Sequence, residues 1–227
     1  MTPDQIILAL DVHDPKEALS WVDRFQGRIG TFKIGLQLFS ANGPSLVREM
    51  RKKNVAIFLD LKLHDIPNTV AKSIEALCQL DLRFLTIHCS GGRAMMEAAA
   101  QAALPFPQTT LLGVTVLTHL SDDDVRELGY DHSSSGQVLH FARLAQSSGV
   151  QALVCSPLEV PLLRREFPPE AMKLVTPGVR PLGSATDDQS RIATPQQSLA
   201  EGSTHVVIGR PILNAPDPDA VLDSLLS

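Results

Sequence analysis

Residues 56–69 read Ala56-Ile57-Phe58-Leu59-Asp60-Leu61-Lys62-Leu63-His64-Asp65-Ile66-Pro67-Asn68-Thr69. The first seven form a short apolar run of strand length, interrupted by two charges. Side chains alternate faces along a strand, so Phe58, Asp60 and Lys62 share one face and Leu59, Leu61 and Leu63 the other. The leucine face suits packing against helices. Pro67 then opens an amphipathic stretch, 67–80, that gathers Val70, Ile74, Leu77 and Leu80 near one side. A strand followed by a covering helix is one βα unit.

The unit repeats from end to end. Strand-like runs rich in Val, Ile and Leu fall at 5–11, 31–35, 56–62, 84–89, 110–116, 152–156, 174–179 and 206–212. Such runs are expected of parallel strands covered on both faces. Helix-like stretches fall at 15–25, 44–53, 67–80, 93–103, 137–148, 158–167, 195–201 and 217–226. Asp14 before Pro15 is a ready N-cap. Eight such units in 227 residues predict a (β/α)8 TIM barrel, one domain over 1–227. The alternative is an open doubly wound sheet, which normally carries a Gly-rich phosphate loop after its first strand. Here that position reads Asp11-Val12-His13-Asp14, without glycine. Two polar stretches, 121–136 after strand five and 182–194 after strand seven, overhang the same barrel face as expected lids.

Composition narrows the function classes. A net charge of -5 gives no global attraction for nucleic acid or anionic membranes, and one Trp and one Tyr make no stacking platform. An anionic ligand would need a local cluster of cations. Met1-Thr2-Pro3-Asp4-Gln5 lacks the basic and apolar segments of a leader, and no apolar run is long enough to span a bilayer. Cys78, Cys89 and Cys155 are odd in number and form no CxxC pair. They read as reduced packing residues in a cytoplasmic protein.

The charges within apolar strands carry the chemistry. Burying charge is costly unless it is paired, yet Asp11, Lys33, Asp60, Lys62, Arg180 and Arg210 all fall in or just after predicted strands. In a TIM barrel the carboxyl ends of the strands form the active face. Asp60 and Lys62 point into the barrel mouth, with Asp65 in the loop beyond. An ordinary buried ion pair is the plainer reading, but it rarely outperforms apolar packing. An array of Lys33, Asp60, Lys62 and Asp65 holds each member in a fixed protonation state. An ammonium so placed donates a proton to a forming carbanion and stabilises its charge, and needs no metal. After strands seven and eight, Pro177-Gly178-Val179-Arg180 and Ile208-Gly209-Arg210 occupy the usual phosphate position of the fold. Gly209 lets the backbone approach, and Arg210 offers a planar fork of donors.

Together these residues resemble the orotidine 5'-phosphate decarboxylase family over nearly the whole chain. Asp60–Thr69 looks like the family's DxKxxDIPNT signature. Leu8-Ala9-Leu10-Asp11, Phe32-Lys33-Ile34-Gly35, His88 before Gly91-Gly92, Val114-Thr115-Val116-Leu117-Thr118, and Thr176–Arg180 with Asp188-Gln189 add to it, as does Val207-Ile208-Gly209-Arg210-Pro211-Ile212. The resemblance implies a bacterial-type, monofunctional, cofactor-free decarboxylase of orotidine 5'-phosphate (OMP) in pyrimidine nucleotide biosynthesis. Lys62 would protonate C6, with Asp60 beside the substrate carboxylate and Lys33 ordering Lys62. Asp11 and Lys33 would contact the ribose, Thr118 the pyrimidine, and Arg180, Gln189, Gly209 and Arg210 the phosphate. Asp65, Ile66 and Thr69 would complete the neighbouring site of a homodimer.

Two rivals remain. A Mg2+-dependent keto-sugar-phosphate decarboxylase or aldolase also carries DxKxxD, but with an acid ligand on strand two, where this chain has Lys33. A non-catalytic phosphate-binding barrel would lose part of the charged array. The histidines lack ligand spacing, so no metal site is expected. His88 is expected to hydrogen-bond within the barrel mouth, and Asp122-Asp123-Asp124 to form a helix N-terminal turn.

Overall fold

The computed structural model describes residues 1–180 and 193–227. Its elements run β1 (Ile6–Ala9), α1 (Pro15–Phe25), β2 (Thr31–Gly35), α2 (Leu36–Arg51), β3 (Ala56–Leu63), α3 (Pro67–Cys78), β4 (Phe84–His88), α4 (Gly92–Ala103), β5 (Thr110–Val114), α5 (Asp122–Glu127), α6 (Ser134–Ser147), β6 (Ala152–Val154), α7 (Val160–Arg164), β7 (Lys173–Pro177), α8 (Pro195–Ala200), β8 (His205–Ile208), α9 (Arg210–Leu213) and α10 (Pro218–Leu226). The strands pair in sequence order, all parallel, and β8 closes on β1 through Ile6↔Val206, Ile7↔Val207 and Leu8↔Ile208. This is the (β/α)8 barrel that the repeated βα units predict.

Alternation along the strands builds two apolar layers. Ile7, Ala9, Phe58, Phe84, Leu112 and Val175 fill the barrel interior with their neighbours, and Phe58 meets Phe84 edge to face, ring centroids 5.8 Å apart. Ile6, Leu8, Ile57 and Leu59 point the other way, against Val22, Val70, Ile74 and Met95 of the helices. Each such side chain contributes about 1.5–3 kcal/mol on leaving water. The caps follow the sequence. Asp14 accepts from Lys16 N–H ahead of Pro15. Ser121 and Asp124 form a reciprocal capping box, so Asp122-Asp123-Asp124 is the first turn of α5 as expected.

Several boundaries differ from expectation, each for a local reason. α2 begins at Leu36 and reaches the predicted 44–53 stretch through a break at Gly43 (φ 63), the residue before Pro44, where helical backbone is disfavoured. β1 ends at Ala9, leaving Asp11 in the following loop, and β6 is only three residues long. β8 ends at Ile208 because Gly209 turns the chain (φ -124, ψ -98) and Arg210-Pro211 starts α9. The 121–136 stretch contains α5 and the first turn of α6. Most of the 182–194 loop lies outside the described residues, as do Asp188 and Gln189. Among the described residues no helix is long and apolar enough to cross a membrane.

The amino end of the barrel is closed by a polar plug. Arg83 reaches Asp4 at 2.7 Å and Thr31 at 3.1 Å, lies 3.3 Å from His205 Nε2, and covers the Phe84 ring. Burial, then the Arg83 cation, pushes the His205 imidazole down to about 4. Its unfolded value is 6.5, so folding favours the neutral ring. Stability is therefore complete above about pH 6.5 and is lost as pH falls towards 4, by about 3 kcal/mol for this one group. Thermal unfolding scanned from pH 7 to 4 is expected to show that loss, and His205→Asn to flatten it. An equally steep profile in the variant would refute the assignment.

Candidate active site

Four charged side chains line up at the carboxyl ends of the first three strands. Asp11, in the loop after β1, accepts from Lys33 Nζ at 3.4 Å. Lys33, on β2, lies 3.6 Å from Asp60 Oδ2. That oxygen also accepts from Lys62 Nζ at 2.9 Å. Charge therefore alternates along Asp11, Lys33, Asp60 and Lys62. The side chains of Lys33 and Asp60 are 12% and 13% exposed, against 31% for Lys62, so the inner pair is desolvated while the outer lysine faces the opening.

The Asp60 carboxyl is held below its usual range. Burial pushes it up, but the Lys33 and Lys62 cations and hydrogen bonds from Lys62 and Thr86 outweigh that. The balance is physically reasonable: each unit charge at 4 Å contributes about 4 kcal/mol in a dielectric near 20, against a burial cost of several kcal/mol per ion. Asp60 is thus a fixed anion.

Lys62 is held by an irregular backbone. Its φ is 51, in the left-handed region, and the β3–β4 register shifts between Leu59 and Leu63. The period-2 reading survives: Phe58, Asp60 and Lys62 line one cavity, while Leu61 and Leu63 pack on the outer layer. Lys62 N–H donates to the Thr86 hydroxyl at 2.8 Å, and that hydroxyl donates to Asp60 Oδ1 at 3.0 Å. The sequence reading missed Thr86, although a hydroxyl inside the apolar run 84–89 was the available signal.

The array faces a cavity of about 240 Å³. Its floor is apolar, from Val114, Val154 and Val207, and Thr118 stands in its wall. Arg180, Gly209 and Arg210, after β7 and β8, line it as well. Arg180 is buried. A Cβ on Gly209 would come within 3.2 Å of Ala9 Cβ and of Asp11 Oδ2, so glycine keeps this rim open. The site thus offers an anion beside a cation, an apolar floor and two guanidinium groups. Among the described residues no three His, Cys, Asp or Glu side chains gather to hold a metal ion.

Of the expected site residues, Asp11, Lys33, Asp60, Lys62, Thr118, Arg180, Gly209 and Arg210 all line this cavity. Asp65, Ile66 and Thr69 do not; all three are exposed, Ile66 by 66%. Asp65 Oδ1 accepts from Ile66 N–H, and among the described residues it has no ion pair with Lys62. The array within one chain is therefore Asp11, Lys33, Asp60 and Lys62, because the loop after β3 turns Asp65 outward. Gln189 lies outside the described residues.

His88 follows the expected pattern of bonding within the mouth. Ser90 N–H points at His88 Nδ1 (3.4 Å), making that nitrogen the acceptor, and the Ser90 hydroxyl lies 2.6 Å from it. The ring stacks on His64, centroids 5.4 Å apart. Burial, then His64 and Lys62, pushes His88 down to about 4, so it is neutral at physiological pH.

Comparison with known proteins gives one consistent answer. The family described as orotidine 5'-phosphate decarboxylase / HUMPS matches residues 4–225. An Opitutus terrae protein named orotidine 5'-phosphate decarboxylase is 45% identical, covering 98% of this chain and 96% of its own length. A Vibrio vulnificus protein of the same name is 42% identical over 99% of this chain and 97% of its own. The crystal structure of orotidine 5'-phosphate decarboxylase from Lactobacillus acidophilus superposes with a TM-score of 0.85 at 34% identity, covering 97% and 96% of the two chains.

Proposed function

The chain belongs to the orotidine 5'-phosphate decarboxylase / HUMPS family, and from that premise we propose that it converts OMP to uridine 5'-phosphate (UMP) and CO2 without metal or organic cofactor. One observation carries the reading: the alternating array Asp11, Lys33, Asp60 and Lys62 faces a cavity that also holds Arg180 and Arg210.

The phosphate sits against Arg180, Arg210 and the Gly209 backbone, and the family resemblance adds Gln189 to that set. The ribose hydroxyls meet Asp11 and Lys33. The pyrimidine lies on the apolar floor near Thr118, with its carboxylate towards Asp60. The C6–carboxylate bond breaks, CO2 leaves, and the electron pair stays on C6. Lys62 gives that carbon its proton and is reprotonated from solvent. Fixed charges prepared before the reaction need no reorganisation as the carbanion forms, and phosphate binding supplies energy that positions the reacting end. Asp65, Ile66 and Thr69 complete the site of a second copy in a homodimer, which is consistent with their exposure at the rim of their own chain. We assign the protein to pyrimidine nucleotide biosynthesis as a single catalytic domain over 1–227. Three buried free cysteines fit a reducing cytoplasm.

Mg2+-dependent keto-sugar-phosphate chemistry fits the donor set poorly, because Asp11 and Asp60 are both paired with the Lys33 ammonium. Offered OMP, and separately a keto-sugar phosphate with Mg2+, the protein is expected to consume only OMP; the reverse preference would overturn the reading. Arg210→Ala is expected to lower kcat/KM for OMP by about 10- to 100-fold, the scale of a lost charged hydrogen bond, chiefly through KM. Steady-state kinetics with an unchanged KM would remove Arg210 from the phosphate site.

A further inference from the structure

The β3–β4 ladder is interrupted at one place. Between the pairs Leu59↔Leu85 and Leu63↔Ile87, Asp60, Leu61 and Lys62 stand opposite Thr86 alone. The excess chain on β3 takes the Lys62 N–H out of the ladder and puts Lys62 at φ 51, a conformation disfavoured for a residue with a Cβ. A backbone donor in such a place needs a partner. The Thr86 hydroxyl, fully buried on β4, is that partner at 2.8 Å.

The direction of these bonds follows from simple valence. An amide N–H only donates, so the hydroxyl accepts it and sends its single proton to Asp60 Oδ1, 3.0 Å away. Asp60 Oδ2 in turn accepts from Lys62 Nζ at 2.9 Å. The bonds close a ring that starts at the Lys62 backbone, passes through Thr86 and Asp60, and returns to the Lys62 ammonium. We propose that Thr86 is a positioning residue: its hydroxyl locks the bulged backbone of Lys62 and the carboxylate of Asp60 into one unit, fixing where the proton-bearing ammonium stands. A valine or isoleucine would fill the same space and offer neither donor nor acceptor. The kinetic consequence rests on the decarboxylase reading; the structural one does not.

The test compares Thr86→Val, nearly isosteric and without the hydroxyl, with Thr86→Ser, which keeps it. With OMP as substrate, T86V is expected to lose about 100-fold in kcat, the scale of a small misplacement of a reacting group, with KM changed less than threefold. T86S is expected to recover most of that loss. Independently of turnover, hydrogen exchange at the Lys62 amide is expected to be at least tenfold faster in T86V than in wild type, and protected again in T86S. A T86V enzyme with wild-type kcat, equal losses in both variants, or a loss confined to KM would overturn the proposal. So would a Lys62 amide equally protected in all three proteins. If wild type fails to turn over OMP, the decarboxylase reading falls, and the amide exchange alone still decides whether Thr86 holds the bulge.

Discussion

On the proposed mechanism Lys62→Ala is expected to abolish turnover of OMP, by at least about 10,000-fold, since proton donation and charge stabilisation would be lost together. The fold should survive. Lys62 is 31% exposed, and Asp60 keeps both Lys33 and the Thr86 hydroxyl as partners. Alanine at φ 51 is no worse placed than lysine, because both carry a Cβ. Lys62→Arg separates the two lost functions. A guanidinium keeps the positive charge but does not release a proton near neutral pH. If protonation of C6 by Lys62 is part of the reaction, K62R should remain severely impaired. If the charge alone matters, K62R should approach wild type. Pre-steady-state and steady-state measurement of UMP formation by the three proteins, with circular dichroism to confirm folding, decides between these outcomes.

The second large effect concerns the subunits. Asp65 is exposed in its own chain, and among the described residues its carboxylate accepts a hydrogen bond from the neighbouring Ile66 N–H and from no other group. If it serves the site of a second copy, Asp65→Ala alone should reduce kcat by about 1,000-fold, a typical scale for losing a preorganised charge. Mixing D65A with K62A subunits should then restore activity. Random exchange makes half the dimers mixed, and each mixed dimer has one site with both residues intact. In a two-fold symmetric dimer the expected recovery is therefore about a quarter of wild type. A mixture as inactive as its components, after exchange is verified by differently tagged subunits, would mean that each site is built from one chain.

The barrel was legible because one rule, strict alternation with a covering helix, repeats through the chain. Phe58, Asp60 and Lys62 fell on one face by that rule, and they line one cavity. What the rule does not contain is the register shift between Leu59 and Leu63. It arises from hydrogen bonds to a neighbouring strand, and no local pattern in β3 announces it. Thr86 escaped for the same reason: a lone threonine in an apolar run is common, and its use appears only when β3 and β4 are side by side. Arg210 was read as following strand eight, and it does, but the apolar run 206–212 overran that strand: Arg210 opens α9, because Gly209 turns the backbone and Pro211 favours a first helical turn. The predicted helix over 44–53 was the second half of α2; Asn42-Gly43-Pro44 reads as a helix start, yet the structure carries a helix from Leu36 through a break at Gly43. Asp65, Ile66 and Thr69 could be selected from the signature they belong to, but their proposed work lies on another copy of the chain. A single chain therefore leaves them at the surface.

The most direct test of metal-free decarboxylation follows the ultraviolet absorbance of OMP mixed with the purified protein in excess EDTA, with CO2 and UMP quantified at the end point. The expected result is complete loss of the OMP signal, one CO2 and one UMP per OMP consumed, at a rate that EDTA does not change. Absence of turnover by the folded protein, or turnover that EDTA abolishes and Mg2+ restores, would contradict the assignment of this chemistry to Lys62 and its neighbouring charges.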